Sequence, residues 1–295
     1  QNNLNQSQSI DMTLGVHKPN MIGLIEIYKY IIICYYNNMP RKSRKQIEID
    51  EDEPNEFAGG SSAAELEVLP VVPTGDEEED YHPHLPSIAR HHGSITLLIG
   101  PTASGKSVMI NNLLLNKNFF GAGDGKKAAF DPECVHVFSP SIFMDDSARF
   151  MIDSFNCYPG FDDSILKDIM AKQEEYGKSA PKVMIVIDDS VGQIDRNGLL
   201  NHFISRYRHW NCNLIISVQY FKALSMITRT NCTDVVLMNG IFNEGEFEKI
   251  EDEWSGIFKG QLIPYYHKYT KKPYSFLYAK LRKKMLFSNF TKRVY

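Results

Sequence analysis

The apolar run Ile95-Thr96-Leu97-Leu98-Ile99 leads directly into Gly100-Pro101-Thr102-Ala103-Ser104-Gly105-Lys106-Ser107. No other feature restricts the fold as much, because GxxxxGKS works only where a strand delivers the turn and a helix carries the chain away. The glycines let backbone N–H groups wrap the β- and γ-phosphates of a nucleotide, and the helix N-terminus adds its positive dipole. Lys106 neutralises phosphate charge, and Ser107 offers a hydroxyl to Mg²⁺. All eight residues, Gly100, Pro101, Thr102, Ala103, Ser104, Gly105, Lys106 and Ser107, are expected to line the nucleotide.

The pattern that begins near residue 93 repeats this alternation of strand and helix. Cys134–Phe138, Val183–Ile187, Leu214–Val218 and Val235–Met238 are short and rich in β-branched residues, with little alternation of polar and apolar positions, as strands buried on both faces are. Helical stretches at 106–116, 163–175, 196–209, 221–229 and 244–254 are long enough to return each strand to a parallel neighbour. The expected fold is a three-layer α/β phosphate-loop domain with a mostly parallel sheet. Its ligands should sit at the carboxyl ends of the strands.

A phosphate loop needs a carboxylate to help hold its metal. Val183-Met184-Ile185-Val186-Ile187-Asp188-Asp189 presents two at a strand tip. Asp188 fits the metal side, reaching Mg²⁺ through water, and Asp189 is placed to polarise the attacking water. The competing reading is an Asp pair that caps the following turn. Asn213-Leu214-Ile215-Ile216-Ser217-Val218-Gln219 then ends a strand in an amide that can sense the γ-phosphate or the water, unless it merely caps a helix. No NKxD for guanine follows a late strand, so ATP is the expected nucleotide.

Of the 295 residues, 43% are hydrophobic and 23% charged, which excludes disorder throughout. The charge is segregated: 259–295 hold ten basic residues and no acidic one, leaving 22 against 36, or −14, for 1–258. Residues 39–92 carry Arg41, Lys42, Arg44 and Lys45, then acidic runs with interspersed Pro, Gly and Ser, and are expected to form a mobile linker. The basic cluster reads as a nuclear address, a nucleic-acid contact or a solubilising tail. The run Met21 to Tyr36 contains Glu26 and Lys29 and is too short to span a bilayer. Residues 1–38 are read as an upstream extension, with Met39 a plausible start. Five cysteines, scattered at 34, 134, 157, 212 and 232, fit neither a zinc motif nor a disulfide framework and suggest a reducing, intracellular compartment. The expected domains are thus 1–38, 39–92, an ATPase core over 93–258 and a basic extension over 259–295 that completes it.

GPTASGKS, IVIDD, RHWNCNLIISVQ and ITRTN, in that order, resemble the genome-packaging ATPases of large DNA viruses, of the poxvirus type, and of virus-like transposons. These form a branch of the FtsK–HerA superfamily, with a RecA-like core. The resemblance spans about 93–245, and its most specific part is Arg208-His209-Trp210-Asn211 leading to Gln219. It implies a homo-oligomeric ring that hydrolyses ATP with Mg²⁺ to drive double-stranded DNA into a capsid, with capsid proteins as further partners, no membrane, and a place in a virus factory, the nucleus or the virion. Carried over by position, Lys106 and Ser107 bind nucleotide and metal, Asp188 is the metal-side acid, Asp189 the catalytic acid and Gln219 the sensor. Arg208 is ranked before Arg206 and Arg229 as the arginine finger.

Two other readings compete. GPTASGK[ST] also opens the tRNA isopentenyltransferases, but their Asp-Ser-x-Gln-[VI]-Tyr segment is missing after the second strand, which runs on into Ser139-Pro140-Ser141. A DNA-binding scaffold that keeps nucleotide without hydrolysing it would have no use for Asp189 and Gln219. His82, His84, His91 and His92 lack partners at metal-ligand spacing and read as linker. Tyr274, Phe276 and Tyr278 alternate as in an edge strand.

Overall fold

The computed structural model describes residues 84–88, 93–145, 148–190, 194, 198–241 and 243–295. The expected upstream extension, most of the charged linker and the apolar run at 21–36 lie outside the described residues.

The strands are β1 (Ile95–Ile99), β2 (Val135–Phe138), β3 (Asn156–Tyr158), β4 (Val183–Asp188), β5 (Cys212–Val218), β6 (Asp234–Met238), β7 (Phe276–Lys280), β8 (Met285–Ser288) and β9 (Lys292–Arg293). They form one sheet in the order β3-β2-β4-β5-β1-β6-β7-β8-β9. The first six in that order run parallel, and β7, β8 and β9 are antiparallel. The helices are α1 (Lys106–Leu115), α2 (Arg149–Ile152), α3 (Asp163–Tyr176), α4 (Leu199–Arg206), α5 (Met226–Asn231), α6 (Glu244–Phe258) and α7 (Leu262–Tyr269).

The sheet is buried on both faces, which explains why its central strands show no alternation. Ile95, Leu97, Ile185, Ile187, Leu214 and Ile216 point to a face covered by α3, α4, α6 and α7, through Leu166, Phe203, Ile250, Trp254 and Leu262 among others. Leu98, Met184, Val186, Ile215 and Val236 point to the other, covered by Ile110 and Leu113 of α1 with Phe120, Phe130 and Met151. The result is the expected three-layer α/β architecture.

Several boundaries differ from expectation, each for a local reason. The stretch 221–229 is not one helix: a 3₁₀ turn at Phe221–Ala223 ends before Ser225, whose hydroxyl accepts the Thr228 N–H at 3.2 Å and starts α5. Helix α7 lies beyond the expected helices and carries Pro264 in its first turn, where proline removes only an N–H that has no intrahelical partner. Strand β7 is interior rather than an edge, since β8 pairs with its outer side.

The core also begins earlier than residue 93. Leu85 and Ile88 are 4% and 2% exposed. The Ser87 amide and hydroxyl donate to the Asp234 carboxylate at 3.3 and 3.4 Å, and the Tyr278 hydroxyl donates to Asp234 at 2.6 Å while lying 3.0 Å from the Leu85 carbonyl. Asp234 is wholly buried, and burial pushes its carboxyl above the usual range despite these donors. Segment 84–88 is therefore part of the packed domain, because its apolar side chains and the need to satisfy Asp234 both hold it there.

Candidate functional site: a phosphate loop flanked by paired acids

Strand β5 lies between β1 and β4, so the carboxyl ends of all three converge. Gly100 continues the β1 ladder by donating its N–H to Val218 O at 3.1 Å. A Cβ there would stand 2.5 Å from that of Met238 and 2.7 Å from Ser104 Oγ, so only glycine fits. Gly105 caps α1 at φ 96° with no side-chain cap, leaving the first-turn N–H groups available to an anion. Inside the loop, Ser104 Oγ is buried and without a hydrogen-bond partner.

Lys106 is 5% exposed and extends back over the loop, where its Nζ donates to Gly100 O at 2.9 Å and Pro101 O at 3.1 Å. It also stands 3.8 Å from Asp189 Oδ2. Ser107 Oγ donates to Asp188 Oδ2 at 3.2 Å, joining α1 to the tip of β4. Strand, loop and helix thus have the arrangement of a phosphate loop in an α/β domain.

Asp188 and Asp189 diverge although they are neighbours. Asp188 closes β4, pairs in register with Ser217, and accepts that residue's hydroxyl on Oδ1. Burial pushes its carboxyl above the usual range, the Asp189 charge adds to the effect, and the Ser217 and Ser107 hydroxyls oppose it. Asp189 turns out of the strand at φ 49° and is 37% exposed. Gln219 Nε2 donates to its Oδ2 at 3.4 Å. One acid thus faces the loop serine, and the other faces open space beside the amide.

The oxygen donors fit a hydrated Mg²⁺, which takes one or two protein oxygens and completes its octahedron with water and phosphate. Ser107 and Asp188 would hold it. No cluster of three or more His, Cys, Asp or Glu suited to a metal occurs among the described residues. Of the four histidines read as linker, only His84 is described, and its ring meets Phe287 at 5.1 Å. Cys134, Cys157, Cys212 and Cys232 are free thiols whose pKa burial raises, so they are poor nucleophiles here.

Arg208 is not brought to the loop. It lies in the 3₁₀ turn Tyr207–Trp210 that enters β5, with Nε donating to the Tyr207 hydroxyl at 3.2 Å. Gln219 leaves the other end of that seven-residue strand, a length of about 23 Å. Arg206 ends α4 on the same far side, and Arg229 is held by Glu253 at 3.0 Å. Trp210 and Asn211, the resemblance's most specific residues, support structure: Trp210 stacks on Phe203 and donates to Glu174, and Asn211 Nδ2 donates to Ala180 O at 2.9 Å. Ser217 was not anticipated. A hydroxyl inside an otherwise apolar strand was the available signal for Ser217.

No family model and no curated protein sequence matches the chain. Among solved structures, the chain is similar to the genome-packaging NTPase B204 from Sulfolobus turreted icosahedral virus 2 in complex with ATP-gammaS, at 16% identity over 68% of this chain and 97% of that one, TM-score 0.48. The DNA-packaging ATPase B204 from Sulfolobus turreted icosahedral virus gives 15% identity over 68% and 98%, TM-score 0.49. The pCW3 conjugation coupling protein TcpA with ATPgS gives 15% identity over 65% and 58%, TM-score 0.42.

Proposed function

We propose that the chain is an Mg²⁺-dependent ATPase that moves double-stranded DNA, working as a homo-oligomeric ring that packages DNA into a capsid. The observation that carries the ATPase reading is the convergence of Lys106, Ser107, Asp188, Asp189 and Gln219 on one loop at the ends of β1, β4 and β5. Packaging rests on the ordered motifs GPTASGKS, IVIDD, RHWNCNLIISVQ and ITRTN.

The loop N–H groups and Lys106 receive the phosphates, and Lys106 exchanges the Gly100 and Pro101 carbonyls for phosphate oxygens. Ser107 and Asp188 would supply the protein oxygens for Mg²⁺, which when bound would supply positive charge to the phosphates. Asp189 accepts a hydrogen bond from the attacking water, and Gln219 fixes that carboxylate from the adjacent strand. The γ-phosphoryl–oxygen bond breaks as the water oxygen attaches to phosphorus, and the water's proton passes toward Asp189. Turnover separates this reading from that of a scaffold holding nucleotide passively.

The test is nucleotide binding and Mg²⁺-ATPase activity of the full chain, with and without duplex DNA, for wild type, Lys106→Ala and Asp189→Asn. Lys106→Ala should lose binding, whereas Asp189→Asn should bind nearly as wild type and lose turnover by about 10²-fold or more. DNA should stimulate the wild type. Equal loss of binding in both variants contradicts the assigned roles, and absent turnover in wild type contradicts the ATPase.

A further inference from the structure

Three alternating aromatics were read together from the sequence, but the structure separates them. Phe276 and Tyr278 pack against Phe290 at 4.7 and 5.0 Å, and Tyr278 also stacks on Phe287. Tyr274 meets no aromatic ring among the described residues and is 65% exposed. Its backbone is held at φ 60°, a conformation strained for a bulky side chain.

The surrounding chain imposes that conformation. Asn239, just beyond β6, donates its backbone N–H to the Ser275 carbonyl at 2.9 Å and its side-chain amide to Thr270 O. The Ser275 N–H donates to Lys272 O at 3.1 Å, and the Phe276 N–H donates to Asn289 Oδ1 at 2.8 Å. These bonds anchor the turn on both sides of Tyr274. Its ring is thereby set against the last glycine of the phosphate loop: a Cβ at Gly105 would lie 3.3 Å from Tyr274 Cδ1.

The side of the loop matters. Lys106, Asp189 and Gln219, which would meet the terminal phosphate, lie toward β4 and β5. Tyr274 lies toward β6 and β7, on the opposite flank of β1. A triphosphate running around the loop with its γ end at Asp189 delivers its nucleoside to that opposite flank. A solvent-facing phenol ring on this anchored backbone offers a flat apolar surface to a base, and a base covers surface that water otherwise wets.

We propose that Tyr274 is the stacking platform for the base of the bound nucleotide. The assignment rests on the proposed nucleotide site and adds the residue that recognises the nucleoside end of the substrate. Stacking adds affinity without choosing between purines, since every base has a π face.

The experiment is calorimetric titration of the full chain with ATP, GTP and inorganic tripolyphosphate, each with Mg²⁺. Tyr274→Gly removes the ring and accommodates the positive φ, and Tyr274→Phe keeps the ring. Tyr274→Gly is expected to weaken ATP and GTP by about 10-fold or more, within the range found when a stacking aromatic is removed beneath a base. Tripolyphosphate should bind wild type and both variants alike, and Tyr274→Phe should bind ATP as wild type does. Unchanged ATP affinity in Tyr274→Gly overturns the assignment, and so does an equal loss for tripolyphosphate, which would make Tyr274 a support for the loop. A wild type that binds tripolyphosphate with ATP-like affinity leaves the phosphate site standing and overturns the platform alone. A wild type that binds neither overturns the nucleotide reading itself, and the platform with it.

Discussion

The Ser217 hydroxyl, at the register position facing Asp188 across β4 and β5, donates to that residue's carboxylate. Asp188 is thereby held from both sides, by Ser217 within the sheet and by Ser107 from the helix. In the proposed Mg²⁺ site Asp188 must keep one oxygen aimed past Ser107, and Ser217 would be its positioning residue. Ser217→Ala should raise the Mg²⁺ concentration for half-maximal ATPase by roughly 10-fold, the scale typical of lost outer-shell partners. Mg²⁺-free nucleotide binding should stay at the wild-type value. A titration of activity against Mg²⁺, paired with binding in EDTA, separates this from general unfolding.

Arg208 stands at the opposite end of β5 from Gln219, so it can serve an active site only in a neighbouring copy. An arginine supplied in trans to the γ-phosphate contributes roughly 10³–10⁵ in rate. Arg208→Ala should bind ATP and be nearly inactive. Mixing it with Lys106→Ala protein should restore partial turnover, since one partner gives the arginine and the other the loop. No recovery in mixed oligomers of verified composition would remove Arg208 from the reaction.

A chain beginning at Gly93 should be less stable than one beginning just before His84. It lacks Leu85 and Ile88, whose burial is worth about 1.5–3 kcal/mol each. It also leaves Asp234 without the two Ser87 donors. Thermal unfolding should show a difference in Tm on the order of 10 °C. Equal Tm values would show that 84–88 contribute nothing to the core.

The basic residues of 259–295 are divided among sites. Lys280 is 1% exposed and faces Asp234 across the β6–β7 pair. Lys271 and Lys272 precede β7, while Arg282, Lys283 and Lys284 follow it, about 17 Å away along a five-residue strand. If DNA runs along the far edge of the sheet, neutralising Arg282, Lys283 and Lys284 together should flatten the salt dependence of duplex binding. The slope should fall by about 0.9 in log K per lost phosphate contact, and Lys271 and Lys272 should matter little. Equal effects of the two sets would place DNA across both edges.

What the sequence made legible was whatever depended on local chemistry. Ile95–Ile99 was read to the residue, and the loop and both acids stand where a strand-tip reading puts them. Reading failed where partners are distant in the chain. Asn156–Tyr158 is three half-buried residues whose strand character comes from pairing with β2, to which Asn156 Nδ2 also donates at Val135 O, 3.3 Å away. Tyr274 looked like its neighbours Phe276 and Tyr278 until the Asn239 and Ser275 bonds were seen to turn it out of their pattern. Nothing near residue 85 signals Asp234, which lies 149 positions later in the chain yet draws that segment into the core.

All seven residues of β5 are buried, and the strand is laddered to β1 on one side and β4 on the other. Sliding it would break two sets of hydrogen bonds at once, so β5 behaves as a strut of fixed length. If Gln219 senses the terminal phosphate as proposed, a change there cannot travel as a shift of the strand. Any movement that follows must start beyond Val218, where Tyr220, and Met226 and Ile227 at the start of α5, are 59%, 72% and 41% exposed. In the proposed motor the motion would be confined to that small part, and the frame, with Arg208 at its far end, would be the fixed reference against which it acts.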